Sequence, residues 1–143
     1  MKRILITGAN SYIGTSVEKY LAQWPEEYQV DTIDMKDGSW REKSFTGYDS
    51  VFHVAGIAHQ DSGKITEERK QLYYKVNTDL TIETAKKAKA EGVGQFIFMS
   101  SIIVYGASAK MGEKKVITRD TVPAPIGAYG DSKLQAEKGI DPL

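Results

Sequence analysis

Residues 4–14 read Ile-Leu-Ile-Thr-Gly-Ala-Asn-Ser-Tyr-Ile-Gly, and the rest of the chain is read outward from them. After Lys2 and Arg3, the apolar run Ile4 to Thr7 predicts a short buried strand that halts at Gly8. A helical pattern begins near Tyr12, with Ile13, Val17, Tyr20 and Leu21 on one face of a segment extending to Trp24. A strand that enters a glycine turn and leaves as a helix is the setting of a phosphate-binding turn. Gly8 permits the tight turn, and Gly14 lets the helix lie close to the sheet. The amides of a first helical turn face an anion, helped by the helix dipole. Ser11 stands where a GxxGxxG pattern has its middle glycine, and its small side chain still allows close approach. Alone, the pattern also fits an ordinary strand–turn–helix whose glycines serve packing.

Beyond this stretch, apolar runs alternate with helical patterns. Strands are expected at Val30 to Met35, Val51 to Ala55 and Gln95 to Met99. Helices are expected at Gln71 to Glu91, stopped by Gly92, and at Tyr129 to Lys138, after the breakers Pro123, Pro125 and Gly127. The polar stretch Asp61 to Lys70 reads as a loop or an exposed helix. Strands alternating with helices imply crossover connections, hence an α/β fold with a Rossmann-like, doubly wound parallel sheet.

In such sheets ligands bind beyond the carboxyl ends of the strands. Asp34 lies twenty residues past Gly14, at the end of the second strand. A carboxylate there accepts both hydroxyls of an adenosine ribose and repels a 2′-phosphate, which favours NAD over NADP. Asp31 is the alternative, inside the strand, and Lys36 and Arg41 keep NADP open. Ser100 and Ser101 end another strand, where a hydroxyl either donates to a substrate oxygen or caps backbone groups. Tyr129 and Lys133, four apart, share one face of a helix. An ammonium beside a phenol favours the phenolate, which suits a proton acceptor. YxxxK is also short enough to arise by chance.

Taken in order, the turn TGxxxxxG, the acidic strand end, Asp49-Ser50-Val51-Phe52-His53-Val54-Ala55-Gly56, Val76-Asn77, Ser100-Ser101-x-x-Val104-Tyr105-Gly106 and Tyr129-x-x-x-Lys133 resemble the extended short-chain dehydrogenase/reductases, the NAD-dependent epimerase/dehydratase family. Within it the chain is most similar to the UDP-glucose (UDP-galactose) 4-epimerases, whose serine precedes a two-residue gap and then Val-Tyr-Gly, as Ser101 does. Nucleotide-sugar 4,6-dehydratases carry an Asp-Glu pair where this chain has Ile102 and Ile103, so the resemblance favours epimerisation over elimination.

The resemblance implies NAD as cofactor and a nucleotide sugar, a UDP-hexose, as substrate. It implies that Tyr129 removes the proton from the sugar C4 hydroxyl as hydride leaves C4 for NAD. Ser101 hydrogen-bonds that oxygen, and Lys133 tunes Tyr129 and holds the nicotinamide ribose. The amides of Tyr12 and Ile13 meet the pyrophosphate within the turn Gly8–Gly14, and Ala55 and Gly56 lie along the cofactor. It further implies a homodimer through the helix of Asn77 to Ala90 and that of Tyr129. Family members are about twice as long, so residues 1–143 are expected to be an incomplete Rossmann domain, truncated before the last strands, with the C-terminal substrate domain absent. Trp40-Arg41 is expected at the place of the adenine. Ala58 stands where relatives often have lysine. A non-catalytic dinucleotide-binding Rossmann protein and a reductase of another carbonyl substrate are the rival readings.

Composition excludes other classes. Nineteen basic and nineteen acidic residues give no net charge, which removes the electrostatic case for a nucleic-acid or anionic-membrane partner. No cysteine is present, so thiol chemistry and disulfides are out. Two histidines alone make no metal site: His53 is read as a packed histidine of a buried strand, and His59 either contacts substrate or is a bystander. The apolar run after Arg3 is too short for a signal peptide, and no stretch approaches a membrane span, so a cytoplasmic protein is expected.

Overall fold

The computed structural model describes residues 1–57, 65–106 and 111–143. Strand β1 (Lys2–Thr7) runs into the glycine turn and helix α1 (Tyr12–Leu21), followed by β2 (Tyr28–Ile33) and β3 (Ser50–His53). Helix α2 (Glu67–Tyr73) continues through a π-helical turn, Tyr74–Asp79, into α3 (Leu80–Ala90). Strand β4 (Gln95–Phe98) and helix α4 (Gly127–Ile140) complete the chain. All strand pairs are parallel, in the order β2-β1-β3-β4. The path leaves β1 on one side for β2 and returns on its other side for β3. The crevice beyond the carboxyl ends of β1 and β3 is therefore the switch point where α/β folds bind ligands.

Leu5, Ile6 and Thr7 are fully buried because β1 is paired on both edges and covered on both faces. Leu5 and Val51 pack with Met35, Trp40, Phe45, Tyr48 and Ala88 in the main apolar cluster. The connection from β2 to β3 thus supplies most of the large side chains of that core. Trp40 is 1% exposed within it, and Arg41 lies over the Trp40 ring while pairing with Glu83. The indole is therefore part of the core, contrary to its expected place at an adenine, whereas Arg41 keeps half of its side chain exposed.

Element types follow the sequence reading, and several bounds shift. Helix α1 ends at Leu21, so Trp24 lies outside it, 38% exposed and edge-on to Tyr20. Strand β2 starts two residues earlier than expected because Tyr28 pairs with Lys2, and Met35 falls beyond its last pair. The expected helix from Gln71 begins at Glu67, capped by the Thr66 hydroxyl on the Arg69 amide. Of the polar stretch, Glu67 to Lys70 are helical; residues 61–64, with Ala58 and His59, lie outside the described residues. No described helix is long and apolar enough to cross a membrane.

Candidate functional site

At the switch point, Gly8, Ala9, Asn10 and Ser11 form one wall of a groove of about 450 Å³. The amides of Gly8 and Ala9 both donate to Ile33 O, at 2.9 and 3.1 Å, which ties the turn to the end of β2. Gly8 has φ +125, and a Cβ there would lie 2.8 Å from the Ala55 nitrogen. Only glycine satisfies both the conformation and the approach of the two strand ends. Ser11 caps α1: its Oγ accepts from the Gly14 amide at 3.0 Å. The serine thus replaces a glycine without closing the turn, because its hydroxyl folds back onto the helix. A Cβ on Gly14 would meet that Oγ at 2.7 Å and Ile6 at 3.1 Å, so helix and sheet touch here. The amides of Tyr12 and Ile13, at the first helical positions, have no acceptor one turn back.

Asp34 lines the groove beside Met35 and Lys36, and its Oδ1 accepts from the Lys36 amide at 2.8 Å. That turn holds the carboxylate at the strand end. Asp31 is engaged elsewhere, accepting from the Tyr48 hydroxyl at 2.5 Å. Of the two acidic candidates, Asp34 is the one at the groove.

Ala55, Gly56 and Ile57 leave β3 along the same groove, opposite Gly8. Asn77, fully buried in the π-helical turn, holds this backbone. Its Oδ1 accepts from the Ile57 amide at 2.8 Å, and its Nδ2 donates to Ile57 O at 3.4 Å and to Ser132 Oγ at 3.1 Å. π-Helical turns recur at functional sites because they redirect one residue of an otherwise regular helix. A Cβ at Gly56 would lie 3.0 Å from Asn77 Oδ1 and 3.2 Å from Lys133 Nζ. Three residues far apart in sequence therefore meet at the groove edge.

Lys133 is 6% exposed, and its ammonium donates to Met99 O at 3.1 Å and lies over the Phe98 ring. Burial lowers its pKa to about 8. Tyr129, one turn earlier on α4, is half-buried with its ring edge-on to Tyr73. Ser101 begins a 3₁₀ turn, Ile102–Tyr105, and its Oγ accepts from the Ile103 amide at 3.2 Å, which leaves its proton to donate. That turn packs on α4 beside Tyr129: a Cβ on Gly130 would lie 3.2 Å from Ile103 O. Ser100 differs, because its hydroxyl bonds to Glu137 on α4. The structure thus separates the two serines, one bracing the strand end and one offering a hydroxyl.

His53 is a packing residue, as expected. It is fully buried, stacked on Phe96 and Phe98, with Nδ1 2.7 Å from Thr7 Oγ1. Burial, then the charge of Lys133, pushes its pKa down to about 3. The folded state therefore refuses a proton that the unfolded state accepts near 6.5. The stability this gives is complete above pH 6.5 and is lost as pH falls towards 3, at up to about 1.4 kcal/mol per pH unit. Denaturant unfolding of wild type and His53→Phe between pH 7 and 5 should show the shallower slope in the variant. Equal slopes would mean that His53 titrates normally in the folded chain.

Sequence reasoning missed the outer groove wall, Leu72, Val76 and Leu80. Their spacing of four was the available signal, since it sets an apolar row along one helix. It also left the role of Asn77 open. Among the described residues no cluster of histidine and carboxylates suits a metal ion.

Comparison with known proteins agrees with this geometry. The sequence model of the NAD dependent epimerase/dehydratase family matches residues 4–141. UDP-glucose 4-epimerase of Vibrio cholerae is 35% identical over 155 residues, covering 97% of this chain and 46% of that protein. A short-chain dehydrogenase/reductase superfamily protein from Agrobacterium tumefaciens, solved with bound NAD, superposes with TM-score 0.79 at 24% identity, over 96% of this chain and 44% of that one. A dTDP-4-dehydrorhamnose reductase from Clostridium acetobutylicum gives TM-score 0.77 at 26% identity, over 99% of this chain and 49% of that one. The chain spans about half the length of the relatives it matches.

Proposed function

From the premise that the chain belongs to the NAD dependent epimerase/dehydratase family, we propose that residues 1–143 form the NAD-binding Rossmann domain of a nucleotide-sugar 4-epimerase acting on a UDP-hexose. The observation that carries this reading is the meeting of Gly56, Asn77 and the Lys133 ammonium at the rim of the groove that Gly8 keeps open. The residues present fit a dinucleotide. The Gly8 turn is a cradle that a Cβ would fill, the helix start offers the Tyr12 and Ile13 amides to a pyrophosphate, and Asp34 offers a carboxylate to a ribose. Ala55 and Gly56 would lie along the bound group, with Lys133 beside its nicotinamide ribose.

When bound, NAD supplies a hydride acceptor that later returns the hydride. The chain's own part is proton handling. Tyr129 takes the proton of the sugar C4 hydroxyl, with Lys133 on the same helical face favouring the phenolate. The Ser101 hydroxyl donates a hydrogen bond to the same oxygen. Ile102 and Ile103 supply no carboxylate beside Ser101, so elimination of water lacks its acid and base. A binding protein without chemistry needs no Tyr129, Ser101 and Lys133 together, and the presence of all three favours the catalytic reading over the non-catalytic one.

The test is calorimetric titration with NAD and NADP, followed by UDP-glucose added to the NAD complex. NAD should bind more tightly than NADP. Asp34→Ala should weaken NAD about tenfold, the scale of a lost bond to a charged group, and shrink the preference over NADP. Equal affinity of the wild type for the two dinucleotides would remove Asp34 from the ribose site. Formation of reduced dinucleotide on adding UDP-glucose, once these residues are joined to a relative's C-terminal half, supports the epimerase reading. Reduction by other alcohols but not by UDP-glucose would favour a reductase of another carbonyl, the reading that the Clostridium relative keeps in view.

A further inference from the structure

Ser132 stands between Asp131 and Lys133 and has no place in the chemistry above, yet it is fully buried and carries more bonds than a packing serine needs. Its Oγ meets Asn77 Nδ2 at 3.1 Å and Tyr129 O at 2.8 Å, while its carbonyl accepts from Thr78 Oγ1 at 2.7 Å. The direction of these bonds is fixed. An amide nitrogen only donates, so the serine oxygen accepts from Asn77 and its single proton goes to the Tyr129 carbonyl. Asn77 in turn holds the Ile57 backbone on the groove wall. One unbroken chain of bonds thus runs from the wall beside Gly56, through Asn77 and Ser132, to the peptide of Tyr129.

Local preference argues against serine here. Mid-helix serine is disfavoured relative to alanine, and α4 places it on a face where a methyl group would pack. The hydroxyl is retained against that preference. We infer that Ser132 is a positioning residue that sets Tyr129 and Lys133 against the dinucleotide groove by tying helix α4 to Asn77. The inference rests on the roles given to Tyr129 and Lys133 above. A second tie between the same elements, Tyr74 hydroxyl to Asp131 Oδ2 at 2.6 Å, and the packing of Ile82 against Gly139 hold α4 in place without Ser132. The helix is therefore expected to survive its removal, with only its register against the groove relaxed.

The experiment uses the whole chain as wild type, Ser132→Ala and Ser132→Thr. It reads thermal stability, NAD affinity by calorimetry, and the titration of Lys133 by NMR of labelled lysine side chains. Threonine keeps the hydroxyl, and Thr81 and Thr84 already bond back to carbonyls one turn earlier in this structure. In Ser132→Ala, the Lys133 midpoint should move from about 8 towards that of an ordinary lysine as water reaches it, and NAD affinity should fall about fivefold. Ser132→Thr should restore both. A folded Ser132→Ala chain with an unmoved Lys133 midpoint and unchanged NAD affinity overturns the inference, and so does a loss of melting temperature alone. If Ser132→Ala does not fold, the wild-type Asn77 side-chain amide decides: slow exchange with solvent supports the bond, and rapid exchange overturns it. Should the wild type bind no NAD, the proposed function fails, while the Lys133 titration still answers for Ser132.

Discussion

The Gly8→Val chain is expected to keep its fold and to bind NAD at least about a hundredfold more weakly than wild type. Three effects act in the same direction. The residue sits at φ +125, which a β-branched side chain reaches only at a cost of about 1–3 kcal/mol. Its Cβ would meet the Ala55 nitrogen at 2.8 Å, Val54 Cγ2 at 3.0 Å and Ala55 Cα at 3.1 Å, so the ends of β1 and β3 must separate. The branch methyls then stand in the groove where a pyrophosphate would approach the backbone. The pairing of β1 with β2 and β3 ends at Thr7, so the damage falls on the turn and leaves the sheet. Ser11→Gly is the control. It removes the bond to the Gly14 amide, and glycine at a helix cap costs only a few tenths of a kcal/mol. Circular dichroism and calorimetry on both variants separate folding from binding. A folded Gly8→Val protein with wild-type affinity would dispose of the phosphate-turn assignment. Gly8→Ala, with a smaller side chain at the same φ, serves if the valine variant does not fold.

The sheet was legible because its signals are local. Ile4 to Thr7 followed by Gly8 announces a buried strand and a turn needing positive φ, and both are present. Spacing put Asp34 at a strand end and Tyr129 and Lys133 on one helical face, while the family resemblance gave the pair its role and singled out Ser101 from Ser100. What depended on long-range packing was not legible. The buried face of the helix from Glu67 to Ala90 includes Asn77, Thr78, Thr81 and Thr84, and nothing in so polar a stripe says which way it faces. The π-helical turn has no composition signal, so the bonds from Asn77 to Ile57 and Ser132 had to be seen. Trp40 was misplaced for a related reason. The family resemblance put it at the place of the adenine, nothing in a short polar segment says which way an indole faces, and only the packing of Leu5, Phe45 and Val51 around it shows a core. The two serines at 100 and 101 are chemically alike in sequence. They differ only because Glu137, on another element, takes one of them.

Replacing Tyr129 by phenylalanine is expected to slow sugar oxidation about 10²- to 10⁴-fold, the range for removing a positioned general base. The substitution keeps the ring that packs edge-on against Tyr73, 5.9 Å between centroids, and leaves Lys133 and the groove untouched. NAD affinity should therefore match the wild type, which separates a chemical role from a binding one. The assay loads with NAD a fusion of these residues to the C-terminal half of the Vibrio cholerae relative, adds UDP-glucose and follows the absorbance of the reduced dinucleotide in a single turnover. Holding the sugar carbon within reach of both hydride acceptor and base supplies about 7–11 kcal/mol of barrier reduction. Much of that grip comes from the part of the substrate distant from the reacting carbon. The relatives carry as much chain again as the 143 residues here. These residues on their own are accordingly expected to show no measurable epimerisation. The same pair, wild type and Tyr129→Phe, is then compared for epimerisation in that fusion. Turnover in the fusion that Tyr129→Phe abolishes places the base on α4. Turnover that survives the substitution, in either form, sinks the assignment of Tyr129 and with it the proton path through Ser101.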